Sequence, residues 1–167
     1  MRLVFSAVSV LPQPCLLLSF DYILANHTMR TIRLAHATGR PWMIYAGWKK
    51  PHAPWGSPSR MYELYEPLEE KVRLPRNQFR PRRSPNISSI GDFFLRLDNG
   101  TFDDIYPWGP DQAAPDEVVL RNRQAYYAAV SHVDEQIGRV MSTVRELGVR
   151  DNTLVVMHAD HGYQLGE

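Results

Sequence analysis

One cysteine, Cys15, stands among 167 residues. A single thiol closes no internal disulfide and builds no zinc cluster, so neither kind of staple organises this chain. An excess of one charge is also missing: 19 Lys and Arg face 18 Asp and Glu, for a formal net charge of +1. That balance removes the bulk electrostatic case for nucleic acid or an anionic membrane surface as partner. No uninterrupted apolar run reaches the roughly 20 residues that a membrane-spanning helix needs. What remains is an ordinary globular composition, 44% hydrophobic and 22% charged, in a chain long enough for one domain with a core.

Residues 1–20 read as a head distinct from the rest of the chain. Arg2 precedes an apolar stretch, as in a secretory signal, but Pro12 and Pro14 interrupt it and no small-x-small cleavage site comes after it. The head is expected to be signal-like or unrelated to the domain of residues 21–167. From 21 to 38 the pattern is helical, with Ile23, Leu24, Ile32 and Ala35 near one face and Gly39 as the stop. Residues 41–46 form a continuous apolar run between Gly39 and Gly47, which predicts a strand buried on both faces. Pro51, Pro54, Gly56 and Pro58 make 48–58 a loop, and Pro58 opens a short helix over 59–65.

Residues 66–114 are polar, rich in proline and irregular, with a basic cluster at Arg80, Arg82 and Arg83 that reads as solvated surface. The strongest periodicity lies beyond them. Tyr126, Val130, Val133, Ile137, Val140, Val144 and Leu147 step by four and three and predict an amphipathic helix over 116–147, stopped by Gly148. A β-branched apolar run at 153–157 predicts a second strand. Helix, strand, helix, strand in this order implies an α/β fold with a mostly parallel sheet and helices on its faces.

In such sheets ligands gather at the carboxyl ends of the strands, and two constellations fall there. Lys50 and His52 come after the first strand, offering positive charge and a transferable proton to an anionic group. Asp160 and His161 come after the second. Asp160 is a hard oxygen donor for a divalent cation, His161 a metal ligand or proton carrier, and Gly162 lets the backbone turn beside them. By themselves, a Pro-His-x-Pro loop also reads as a turn and Asp-His-Gly as a helix cap.

Four segments in order carry a resemblance. They are Gly47-x-x-Lys50-Pro51-His52-x-Pro54-Trp55, Tyr62-x-x-Tyr65, the run Arg123-Gln124-Ala125-Tyr126-Tyr127-Ala128-Ala129-Val130-Ser131-x-Val133-Asp134, and Asp160-His161-Gly162-Tyr163-x-Leu165-Gly166-Glu167. Together, over about residues 20–167, they resemble the sulfatase family in its iduronate-2-sulfatase-like branch. The resemblance implies an alkaline-phosphatase-like α/β sandwich, here partial and truncated at both ends. It implies sulfate-ester hydrolysis through a formylglycine nucleophile, with calcium as the usual divalent cation. By that pattern Asp160 and His161 are metal-site residues, and His52 is the catalytic and substrate-binding group beside the sulfate ester, where it binds the sulfate or helps the leaving oxygen. Lys50 and Tyr163 lie on the substrate-binding surface, with lid packing as the other reading of Tyr163. The substrate implied is a sulfated carbohydrate of the glycosaminoglycan kind, and the setting of a full-length relative is lysosomal or secreted.

The chain also departs from the family. Cys15 is followed by Leu16-Leu17-Leu18-Ser19, not by the Cys-x-Pro-x-Arg context that conversion to formylglycine requires, and the family's early Asp-Asp pair of metal ligands is absent. The expectation is an internal fragment of a sulfatase that is inactive alone, against two alternatives: a non-catalytic isoform or binding module, and a phosphoesterase or phosphonate hydrolase of the same superfamily. Sequons at Asn26, Asn86 and Asn99 fit a secreted parent, with Asn86 and Asn99 in the long loop the expected acceptors.

Overall fold

A computed structural model describes residues 10–11, 19–76, 115–163 and 165. In chain order its elements are β1 (Val10–Leu11), α1 (Phe20–Ala37), β2 (Ser57–Pro58), α2 (Ser59–Glu63), α3 (Leu68–Lys71), α4 (Asp116–Glu146) and a 3-10 turn at Arg150–Asn152. Cys15, the basic cluster and the sequons at Asn86 and Asn99 lie outside the described residues.

Helix α1 begins where Ser19 caps it: the Ser19 hydroxyl accepts the Tyr22 N–H at 3.2 Å, and Asp21 adds negative charge to the first turn. It ends at Gly39, whose φ of +65° closes the last turn in the left-handed region, and Gly148 (φ +69°) does the same after α4. The buried stripe of α1 is Asp21, Ala25, Thr28 and Ile32, whereas Ile23 is half-exposed. Helix α4 starts after Pro115, carries Asp116 and Glu117 in its first turn and Arg145 in its last, and so matches its macrodipole at both ends.

The two long helices run parallel. Ser19 meets His132 at 3.3 Å, Asn26 meets Arg139 at 2.5 Å and Arg33 meets Glu146 at 3.3 Å, each pair 113 residues apart. The contacts therefore advance seven residues, two turns, on each helix, the register of shallow-angle helix packing. The guanidinium of Arg139 also lies 4.4 Å from the centroid of the Tyr22 ring. Parallel neighbouring helices are what two successive crossovers on one face of a sheet produce.

The face that α4 buries differs from its expected stripe. Val133 and Val144 are buried as predicted, but Val130 is exposed, and the remaining buried positions include Ala125, Ala128, Ala129, His132, Gln136 and Thr143. Small residues there let α2 and the proline-rich loop approach closely, while His132 meets Ser19, Thr143 accepts from Arg33 of α1, and Gln136 accepts from Arg139 within α4. A hydropathy stripe marks neither. The core formed at that face consists of Trp55, Met61 and Tyr62 against Ala125, Ala128 and Ala129.

The expected sheet is not seen. The strand pairing among the described residues is a parallel two-residue bridge, Val10 with Ser57 and Leu11 with Pro58. The runs at 41–46 and 153–157 have no paired strand among the described residues. Residues 41–47 alternate strictly between exposed and half-buried, the period of an extended chain with one face against the protein, and Met43 and Tyr45 on the other face are 74% and 85% exposed. Leu154, Val156 and Met157 are likewise exposed. The correction is physical: a strand buried on both faces needs hydrogen-bonded neighbours, and the described residues place none beside either run. The stretch expected to be irregular also begins with structure, because α3 buries Leu68, with Val72 and Pro75 buried beyond it. No helix among the described residues is long and apolar enough to cross a membrane.

Candidate active site

The Lys50–His52 loop is held by its tryptophan. Trp55 is buried, its indole N–H donates to Pro51 O at 2.8 Å, and its own carbonyl accepts the Tyr62 hydroxyl at 2.7 Å. The loop is thereby pinned at both ends to α2 and α4, and burial pushes the Tyr62 phenol up to about 12. On this base His52 is exposed. Its Nδ1 lies 2.6 Å from Ala53 O, an atom that can only accept, so the proton sits on Nδ1 and Nε2 is left as the exchanging nitrogen. Lys50 folds back along the loop and donates from Nζ to Pro54 O. Burial holds its ammonium below the ordinary lysine range, and the nearby Asp21 carboxylate works against that shift.

Asp160 and His161 stand together in solvent, their side chains 89% and 65% exposed. The His161 N–H donates to Asp160 Oδ1 at 2.9 Å, and the His161 Nε2 lies 3.8 Å from Asp160 Oδ2. The Asp160 carboxyl sits below the usual carboxylate range, first because of that backbone N–H, with the charges of His161 and His52 acting in the same direction.

Tyr163 brings the two loops together. Its hydroxyl accepts the Ala53 N–H at 3.4 Å. Its ring packs edge-on against His52 at 6.4 Å, His161 at 6.1 Å and Trp55 at 5.5 Å between centroids, with Tyr126 at 6.0 Å. Arg123, from α4, donates to Leu165 O at 3.1 Å and to the Tyr127 hydroxyl at 2.9 Å, securing the far side of the second loop. Of the five residues expected from the sequence, Tyr163 brings His52 and His161 together, Asp160 stands beside His161, and Lys50 lies in the His52 loop with its ammonium on Pro54 O. An open cleft of about 540 Å³ between α2 and α4, lined by Arg60, Met61, Leu64, Val130, Ser131, Asp134 and Glu135, shares none of them.

The donor set tests the implied cation. Among the described residues no group of three or more His, Cys, Asp or Glu side chains is placed to hold a metal ion. Asp160 and His161 offer one carboxylate and one imidazole, whereas calcium takes about six to eight oxygens. These two can contribute to such a site but cannot by themselves form it.

Sequence reasoning missed Asp21. It is 2% exposed, and its carboxylate accepts the backbone N–H groups of Lys49 at 2.7 Å and Lys50 at 3.3 Å. In the sequence an aspartate in a first helical turn reads only as a partner for the helix dipole.

Two parallel helices support two loops that meet at Tyr163, one carrying Lys50 and His52 and the other Asp160 and His161, and the chain belongs to the sulfatase family, whose model matches residues 13–167. That family carries the alkaline-phosphatase-like α/β fold, of which the described residues present the helices and one short parallel bridge. The chain is 30% identical to iduronate 2-sulfatase of Mus musculus over 144 residues, covering 85% of this chain and 25% of that protein. It is 32% identical to iduronate 2-sulfatase of Homo sapiens over 129 residues (76% and 22%) and 30% identical to choline-sulfatase of Rhizobium meliloti over 132 residues (77% and 22%). The chain thus spans about a quarter of the length of the curated relatives it matches.

Proposed function

We propose that this chain carries part of the substrate-facing site of a sulfuric ester hydrolase acting on sulfated sugars of glycosaminoglycans, in a lysosomal or secreted parent. The observation that supports the reading most is the convergence at Tyr163, which sets His52 and the Asp160–His161 pair on one surface. Cleaving a sulfate ester expels an alkoxide oxygen that needs a proton. His52, with Nδ1–H tied to Ala53 O, can deliver one from Nε2 in its charged form. The Lys50 ammonium adds positive charge to the same loop, and Tyr163 gives the surface an aromatic edge. A divalent cation, when bound, would supply the charge that draws electrons from the sulfate oxygens, and Asp160 and His161 are the residues here that would help hold it.

The nucleophile's position has no counterpart among these residues, because Cys15 lacks the context for conversion to formylglycine. The chain alone is therefore expected to turn over neither a fluorogenic aryl sulfate nor a sulfated iduronide, and to bind calcium weakly by calorimetry. Turnover lost on His52→Ala would show that it is a complete catalyst. The placement of the site is tested separately with inorganic sulfate, which should move the ring resonances of His52. A ring unmoved by sulfate at high millimolar concentration would remove this surface from consideration.

A further inference from the structure

Asp21 is a buried carboxylate with no partner of opposite charge at hydrogen-bond distance among the described residues. It is spent instead on two main-chain N–H groups. Oδ1 takes Lys49 and Oδ2 takes Lys50, while the Lys49 carbonyl accepts the His52 N–H at 2.9 Å. The Lys49 peptide unit is consequently gripped on both sides, and His52 is one hydrogen bond further from Asp21. Asp21 is itself buried beside the contact between the two long helices. Ser19 caps the same turn and contacts His132 of α4, a residue 1% exposed, and Arg139 of α4 lies over the Tyr22 ring and bonds Asn26.

We infer that Asp21 is a positioning residue for the proposed sulfate-facing loop: it transmits the fixed location of the α1–α4 pair to the Lys49–Lys50 turn, and so sets where Lys50 and His52 stand. This rests on the proposed reading of that loop as sulfate-facing. A carboxylate suits the task because it is acceptor-only and offers one oxygen to each of two adjacent amides. Bonds to a charged acceptor are also stronger than neutral ones. Asparagine at this position keeps the shape but replaces one acceptor oxygen with a donor, which opposes one of the two N–H groups.

The test uses the full 167-residue chain, labelled for backbone amide exchange, as wild type and Asp21→Asn. Exchange at Lys49 and Lys50 should accelerate about tenfold or more in the variant, while amides in the middle of α4 keep their protection and report an intact fold. Unchanged exchange at Lys49 and Lys50 overturns the inference. Where the variant does not fold, the wild type serves. The Lys49 and Lys50 amides should then show scalar coupling through their hydrogen bonds to the Asp21 carboxyl carbon, and the absence of both couplings overturns the inference. A second arm adds inorganic sulfate. The wild-type His52 and Lys50 signals should respond, and the folded variant should need several-fold more sulfate for the same response. Equal sulfate response in both proteins overturns the positioning role. A wild type blind to sulfate instead counts against the sulfate-facing reading, and the amide arm still decides the anchoring.

Discussion

The hydroxyl of Tyr163 accepts the backbone N–H of Ala53 across 110 residues of sequence, and the ring that carries it touches His52, His161 and Trp55. Hydroxyl and ring can be separated by substitution. Tyr163→Phe keeps the edge-on contacts and loses one hydrogen bond, about 0.5–1 kcal/mol. Tyr163→Ala removes the contacts too, at about 0.5–1.5 kcal/mol for each aromatic pair, and wets the face of Trp55. The alanine variant should show red-shifted tryptophan emission and faster amide exchange at Ala53, and the phenylalanine variant only the second. Ala53 exchange untouched in both would mean that the loops are not joined through this residue.

Acid should weaken the packing of α1 on α4. Burial holds the His132 imidazole below the ordinary histidine range, against the pull of the Asp21 and Glu135 carboxylates and with the Arg60 and Lys50 cations adding to the effect. A depressed folded value means that the unfolded chain takes up the proton first. Its stabilising contribution is therefore complete above about pH 6.5 and is lost as pH falls through the folded value. The buried Nδ1 has no hydrogen-bond partner among the described residues. Melting temperature should fall as the pH drops below about 6.5, and His132→Gln should flatten that slope. An equal slope in the variant would place the acid sensitivity elsewhere.

Alkali acts on the other side of the molecule. The Tyr62 phenol is raised to about 12 by burial while it donates to Trp55 O. The unfolded phenol ionises near about pH 10, so the stability tied to the neutral form is present below that pH and disappears as pH climbs through the folded value, on the order of 2 kcal/mol. Ultraviolet titration should find one tyrosine ionising only with unfolding. Tyr62→Phe should abolish that late step, and a full set of early-titrating tyrosines in the wild type would refute the assignment.

The exposed apolar edges predict behaviour in solution. Met43, Tyr45, Leu154, Val156 and Met157 stand in water on two segments that have no paired strand among the described residues, and exposed apolar runs of this kind recruit further strands. The isolated chain should self-associate at micromolar concentration, with lysine at Tyr45 and Val156 raising the soluble fraction. A monomeric wild type with a sharp cooperative melt would contradict this.

Sequence reasoning located both long helices to within a residue or two, because their stops, Gly39 and Gly148, need the left-handed backbone that glycine adopts easily. It also singled out His52 and His161, whose rings pack against Tyr163, since a histidine just past an apolar run announces itself. The runs at 41–46 and 153–157 were legible as apolar segments, but the lack of a paired neighbour among the described residues was not, because pairing depends on residues far away in sequence. The buried face of α4 was misplaced for a related reason. Alanine, histidine and glutamine carry little hydropathy signal, and their burial is decided by what α1 and Trp55 bring against them. Asp21 escaped notice because its partners are main-chain amides, which no side-chain pattern reveals.

Ala125, Ala128 and Ala129 have no chemistry of their own, yet they are the floor under Trp55. Three methyl groups thus act as a gauge block: their thickness fixes the height of the indole, and the indole fixes the height of a loop whose histidine lies three positions away. Adding one methylene to any of them lifts that stack as a whole, since a close-packed contact shifts before it compresses. The tolerance of the surface around His52 is therefore machined on a buried helix face that no ligand reaches.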